Sequence, residues 1–323
     1  MRSHSVLYVD AGYLIAAAAT RLTGTSFRRG VKVDYAALVE ALIAQVETSA
    51  KLPLLRVYWY DAARGGRPDQ EQEHIAALSR VKLRLGRLGV EGEQKGVDLR
   101  IGLDMVGHAR NGAIDAIYLL SGDDDLTEAV EEAQAQGVQV TVLAVPGAAG
   151  APHGVSQHLR RASDDLVLLD GEILDATVSA VRATTEGEAR AARVPNPADI
   201  ARRPASVPVA MSAAPMPVPV VAAPSPVYSS GLGAKPFIAP EFQHDPEEVE
   251  RRVREVVQRT YDAWAATAAP SQVADLKAGR PTIPRDVDRA LLVDLSDALG
   301  DYYLSDDVRV ILRAQFWQVV DDA

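Results

Sequence analysis

Five consecutive residues, Ser121-Gly122-Asp123-Asp124-Asp125, carry the most concentrated chemistry in the chain. An apolar run, Ile114 to Leu120, stops at the Ser-Gly turn. Three carboxylates follow, then an amphipathic stretch that starts at Leu126 and reads as a helix. Adjacent anions repel one another, so a strand end that aims several at one spot suits a divalent cation with oxygen ligands. The competing reading is a helix cap, because a short Asp side chain satisfies free backbone N–H groups and the positive end of the helix dipole. One Asp meets that need and three exceed it; from this stretch alone both readings stand.

Other acids sit at comparable places. Asp10 ends the apolar run Ser5 to Val9, ahead of an Ala-rich helical stretch, and Asp61 follows the run Leu54 to Tyr60. In the stretch Glu93-Gln94-Lys95-Gly96-Val97-Asp98 the next helix is expected to open and to run to about Arg110. Lys95 and Asp98, three apart, then share a helical face, as a salt-bridged pair or as part of a site. Each Asp taken singly also reads as an N-cap. Basic residues Arg21, Arg28, Arg29 and Lys32 fill a polar loop, where they are either solvated or placed to hold a phosphate backbone. The strand Val81 to Leu88 has a basic wet face of Lys82, Arg84 and Arg87. None of the six histidines shows metal-ligand spacing.

The elements that must position these residues alternate. Strands at Ser5–Val9, Leu54–Tyr60, Val81–Leu88, Ile114–Leu120, Val138–Val145 and Leu166–Leu169 are separated by helical stretches, and a helix from Gly171 to about Thr185 closes the series. That pattern predicts an α/β fold, a parallel sheet flanked by helices on both faces with right-handed crossovers. In such a sheet Asp10 and the Asp123 group end neighbouring or near-neighbouring strands on one edge, where open α/β sheets place ligands. The helix that begins near Asp98 has to start over the same edge.

Tyr8-Val9-Asp10, Lys95-Gly96-Val97-Asp98 with Asp104 six residues on, and Ser121-Gly122-Asp123-Asp124-Asp125 before an apolar helix resemble, in this order, the NYN domain, a branch of the PIN-like nuclease superfamily. The resemblance runs from about Ser5 to Asp170. It implies a PIN-like fold and cleavage of RNA phosphodiesters with Mg2+ or Mn2+. Carried over by position, it implies that Asp10, Asp98, Asp123 and Asp125 are catalytic and hold the metal, with Asp104 a further member. Lys95, Ser121 and Thr127 become substrate-binding residues, and Asp124 falls outside the set. One departure stands out: where the family often has Asn three residues after the first Asp, this chain has Tyr13. A phenol ring cannot hold a water or a metal-bound group as an amide does.

Composition bounds the rest. The chain has 323 residues, a hydrophobic fraction of 47%, a net charge of −10 and no cysteine. Length suggests about two domains, and the missing thiols exclude disulfides, thiol nucleophiles and zinc–thiolate sites. With no basic-then-apolar leader and no long apolar span, a soluble cytoplasmic protein without membrane contact is expected. Residues 1–186 are expected to form the nuclease domain, 187–243 a disordered Pro/Ala-rich linker, and 244–323 a small all-α module suited to a protein partner or self-association. The leading reading is a metal-dependent endoribonuclease with RNA as partner. Its rival is a catalytically weak regulatory protein that binds RNA or proteins through the retained fold. A phosphatase or receiver-like pocket is a third reading, disfavoured by the Lys-Gly-Val-Asp helix start.

Overall fold

A computed structural model describes residues 3–88, 94–181, 245–300 and 304–323; the linker expectation lies outside the described residues. The organising element is strand β1, Ser5–Asp10, whose six residues are all buried. It lies between β3 (Leu54–Ala63) and β6 (Ala116–Leu120), parallel to both, with Val9 beside Trp59 on one flank and Leu120 on the other. A strand covered on both faces reads as a continuous apolar run, which is why Val6 to Val9 contains no polar break beyond the Tyr8 hydroxyl. Alternate residues serve opposite faces. Leu7 and Val9 pack with Leu14, Leu38, Leu42 and Trp59, while Val6 and Tyr8 pack with Ile101, Met105, Ile117 and Val130.

The sheet continues through β4 (Val81–Leu88) on one side, and through β7 (Gln139–Ala144) and β8 (Asp165–Leu168) on the other. With the short strand β5 (Gln94–Lys95) at the edge, the order β5-β4-β3-β1-β6-β7-β8 builds outward from β1 and then reverses to its other side. Six strands are parallel, and helices α1 (Ala11–Thr23), α2 (Tyr35–Ala50), α4 (Val97–Arg110), α5 (Thr127–Ala135) and α6 (Gln157–Ala162) cover the two faces. The α/β architecture expected from the alternation is therefore the one observed.

Two local expectations are corrected. Gln94–Lys95 forms the short strand β5, antiparallel to β4, and Gly96 turns the chain in the left-handed region (φ 78°) so that α4 begins only at Val97. Lys95 thus stands outside the helix and shares no helical face with Asp98. The last helix of the domain, α7, is also shorter than expected. It covers Gly171–Thr177, and the chain then extends as β9 (Val178–Ala180), antiparallel to β2 (Val31–Val33). The β-branched Val178 suits the extended state, and pairing with β2 decides it.

The C-terminal module is helical as expected: α8 (Pro246–Ala265), α9 (Pro270–Ala278), α10 (Arg285–Leu299) and α11 (Asp306–Asp322). α8 starts on an Asp245 cap with proline at its first turn, and Gly300 ends α10 in the left-handed region. α9, whose Ala269 N–H is capped by Gln272 Oε1 at 2.8 Å, was not expected. Trp264 and Trp317 are buried in this module's core.

Phe27 belongs to the same core although it lies in the stretch read as a polar loop. Thr25, Ser26 and Phe27 are all buried there. Asp294, itself buried on α10, ties the parts together: it accepts the Ser26 N–H at 2.9 Å and lies 3.4 Å from Thr260 Oγ1, which in turn is 3.3 Å from Thr25 Oγ1. Phe27 is the fully buried apolar side chain that this segment adds to the helical core. Phe27→Ala should cost about 3–5 kcal/mol in urea unfolding. A loss below about 1 kcal/mol would show that this contact does not hold the helical module to the sheet.

Candidate active site

β1 and β6 are neighbours, and the pair Val9–Leu120 ends their register, so Asp10 and Ser121 leave the sheet side by side at its carboxyl edge. This is the point where strand order reverses, the crevice in which open α/β sheets bind ligands. Asp10 is only 9% exposed. Its Oδ1 accepts the N–H groups of Gly12 at 2.8 Å and Tyr13 at 3.2 Å, capping α1, and Ser121 Oγ stands 3.4 Å from its Oδ2. The same Ser121 hydroxyl accepts the Asp123 N–H at 3.3 Å, and Asp123 Oδ1 accepts the Asp125 N–H at 3.0 Å. A hydrogen-bonded chain thus runs from Asp10 through Ser121 to the Asp123–Asp125 turn.

Electrostatics links Asp98 to both ends. Burial pushes the Asp10 carboxyl up to about 6, with its backbone hydrogen bonds opposing and the Asp98 charge adding to the rise. Asp98, in the first turn of α4, is also raised, first by burial and then by Asp123 and Asp125. Asp10, Asp98, Asp123 and Asp125 therefore form one electrostatic neighbourhood, although among the described residues no three acidic or histidine side chains close around a single point. The donor set is all carboxylate and hydroxyl oxygen, which fits a hard cation such as magnesium or manganese and does not fit a thiolate-type zinc centre.

The other residues singled out in the sequence fall elsewhere. Asp124 accepts Ser156 Oγ at 2.5 Å and lies 3.2 Å from His158 Nδ1, which lower its pKa and fasten α6; it is a structural tie, outside the cluster. Thr127 donates to the Asp124 carbonyl at 2.7 Å and shapes the entry to α5. Asp104 is a correction: six residues along α4 from Asp98, it accepts Tyr60 Oη at 3.0 Å and pairs with Arg84 Nε at 3.0 Å, so it is spent away from the cluster. Asp61 accepts Gln72 Nε2 at 2.7 Å at the start of α3 (Gln70–Ala76).

Tyr13 gains a role invisible in the sequence. Its hydroxyl donates to the His153 carbonyl at 2.7 Å and lies 3.2 Å from the Val145 N–H, pinning the loop after β7 against the acids. Gly122 completes the fit, since a Cβ there would stand 1.7 Å from the Gly154 carbonyl oxygen. Two arginines also share the field of the acids. Arg28 contributes to the field at Asp10, and Arg289 of α10 has Asp10, Asp98 and Arg28 as its charged neighbours. Arg28 stood among the loop cations in the sequence; nothing in the sequence pointed to Arg289.

The raised Asp10 pKa has a stability consequence. A carboxyl at about 6 in the folded state against 3.8 ordinarily favours folding below pH 3.8 and loses that contribution as pH rises through 6. Asp10→Asn keeps an acceptor for Gly12 and Tyr13 while removing the charge. In EDTA it should be more stable than the native protein at pH 8, by about 2–3 kcal/mol at most, and nearly equal to it at pH 4. Equal urea midpoints at both pH values would contradict the burial of this charge.

Among the described residues no helix is long and apolar enough to cross a membrane. A protein of Sinorhizobium fredii (strain NBRC 101917 / NGR234), uncharacterized protein y4oD, is 42% identical over 94 residues, 29% of this chain. The matched part spans 42% of that relative's length, less than half of it. The NYN domain model matches residues 6–170, from the first buried residues of β1 past the end of β8, and so takes in every strand of the sheet and all four acids. On a match that covers just over half of its residues, the chain belongs to the NYN domain family, a PIN-like ribonuclease family.

Proposed function

We propose that this protein is a metal-dependent endoribonuclease that hydrolyses RNA phosphodiesters. The observation that carries the proposal is the chain Asp10–Ser121–Asp123 across the ends of two adjacent parallel strands, with Asp98 in its field, inside an NYN domain. Asp10, Asp98, Asp123 and Asp125 are the residues suited to hold magnesium or manganese. When bound, such an ion activates a water and offsets charge on the leaving oxygen. The protein's own part is orientation. Backbone N–H groups of Gly12 and Tyr13 fix one oxygen of Asp10, and Ser121 steadies the other. Asp123 is held by the turn it caps.

A second reading, a catalytically weak RNA-binding or protein-interaction protein, is favoured by Tyr13. Its hydroxyl is committed to the loop after β7, and the position lacks the Asn that the family resemblance leads one to expect.

Cleavage of labelled RNA by the full chain with Mn2+ or Mg2+, blocked by EDTA, is the expected result. Removing a group that only orients a metal ligand costs 10–100-fold, so Asp10→Asn or Asp123→Asn should lose more than about 100-fold in rate. Intact RNA across diverse sequences with both metals would leave the weak-binding reading in its place.

A further inference from the structure

α10 is tied at three points to the segments that border the acids. Asp286 pairs with Arg29 at 3.2 Å, Asp294 accepts the Ser26 N–H at 2.9 Å, and Asp297 lies 3.6 Å from His153 Nε2. Arg29 and Ser26 belong to the segment after α1, and His153 to the loop that Tyr13 pins. At about 100° per residue, positions 286, 289 and 297 share one face of the helix. Arg289 therefore stands on the face that spans from one bordering segment to the other. Asp10, Asp98 and Arg28 are its charged neighbours.

Most arginines near an acid are paired with it: Arg21 holds Asp175 with two nitrogens at 2.9 and 2.8 Å and Arg313 holds Asp288 at 2.8 and 2.9 Å, while Arg84 and Arg110 each hold one acid through a single nitrogen. Among the described residues Arg289 makes no hydrogen bond and no ion pair, and it stays exposed to solvent. Arg28 is nearly as free, with one long contact of 3.9 Å to Asp61. Although Arg289 as a whole keeps solvent access, partial burial of its guanidinium and the adjacent Arg28 hold it below its ordinary value, with Asp10 and Asp98 opposing. On the α5–α6 side the open groove is lined by Asp124, Asp125, Glu128 and Glu131 against His158 and Arg161, a surface that repels phosphate.

We propose that Arg289 and Arg28 together form the phosphate-binding side of the nuclease site, so that the C-terminal helical module supplies part of the RNA-binding surface. A planar guanidinium offers a fork of donors matched to phosphate oxygens. The module is then part of the site and more than a neighbour of it. This inference rests on the ribonuclease reading above.

The test uses the full chain and a fluorescein-labelled single-stranded RNA in EDTA, read by anisotropy across a salt series, with Mn2+ cleavage followed in parallel. Arg289→Ala should weaken binding about tenfold. It should also flatten the slope of log affinity against log salt by about 0.7, the value for one lost phosphate contact. Arg289→Lys should recover part of both, and KM should rise more than kcat falls. Binding and KM unchanged in Arg289→Ala, in a protein whose native form binds and cuts RNA, overturn this inference alone. Tighter RNA binding or faster cleavage by Arg289→Ala also overturns it, by making the residue an inhibitory counter-ion. No binding and no cleavage by the native chain overturn the ribonuclease reading with it.

Discussion

A carboxylate buried at the end of the central strand is the constraint around which this molecule is arranged. Asp10 finishes a strand with no exposed residue, and ionising it there is costly because burial removes its water, which pushes the carboxyl up to about 6. The fold offsets that cost with two backbone donors from α1 and the Ser121 hydroxyl from the neighbouring strand. It then places Asp98 close enough to add its charge, and Asp123 and Asp125 act in turn on Asp98. An arrangement that works against its own stability is common where the strain serves a bound ion or a reaction.

Rigidity at this edge comes from long-range contacts. The Tyr13 hydroxyl joins α1 to the loop after β7, and Gly122 lets that loop approach within a distance that no side chain would allow. Asp124 fastens α6 through Ser156. On the other flank the segment Thr25–Phe27 is buried because the C-terminal helices cover it, with Asp294 bridging the two parts. The site therefore lies among elements that are 100 to nearly 300 residues apart in the chain, and its geometry depends on all of them.

Much of this was legible in the residues. The parallel sheet was readable because each buried strand is a short run of β-branched and aromatic residues ending at an acid or a turn; Asp10 ends β1 and the Asp123 turn follows its neighbour β6, one of the two arrangements expected. What escaped had non-local causes. Val178 to Ala180 is extended because β2 is there to pair with it, a partner 145 or more residues away that the local sequence does not reveal. Lys95 left the helix because Gly96 adopts a left-handed turn. Asp104 has the right spacing from Asp98 for the family pattern, but Tyr60 and Arg84 claim it. Arg289 sits in an ordinary amphipathic helix, and only the docking of that helix gives it a place near the acids.

The central claim is that the acids at the carboxyl ends of β1 and β6, with Asp98, hold a divalent cation. Anomalous diffraction from crystals grown with Mn2+ tests it most directly. The account requires a manganese peak bounded by the carboxylates of Asp10 and Asp98 and lying on the side of the Asp123 turn. Manganese found only in the groove between α5 and α6, or at no position within reach of Asp10, would contradict it.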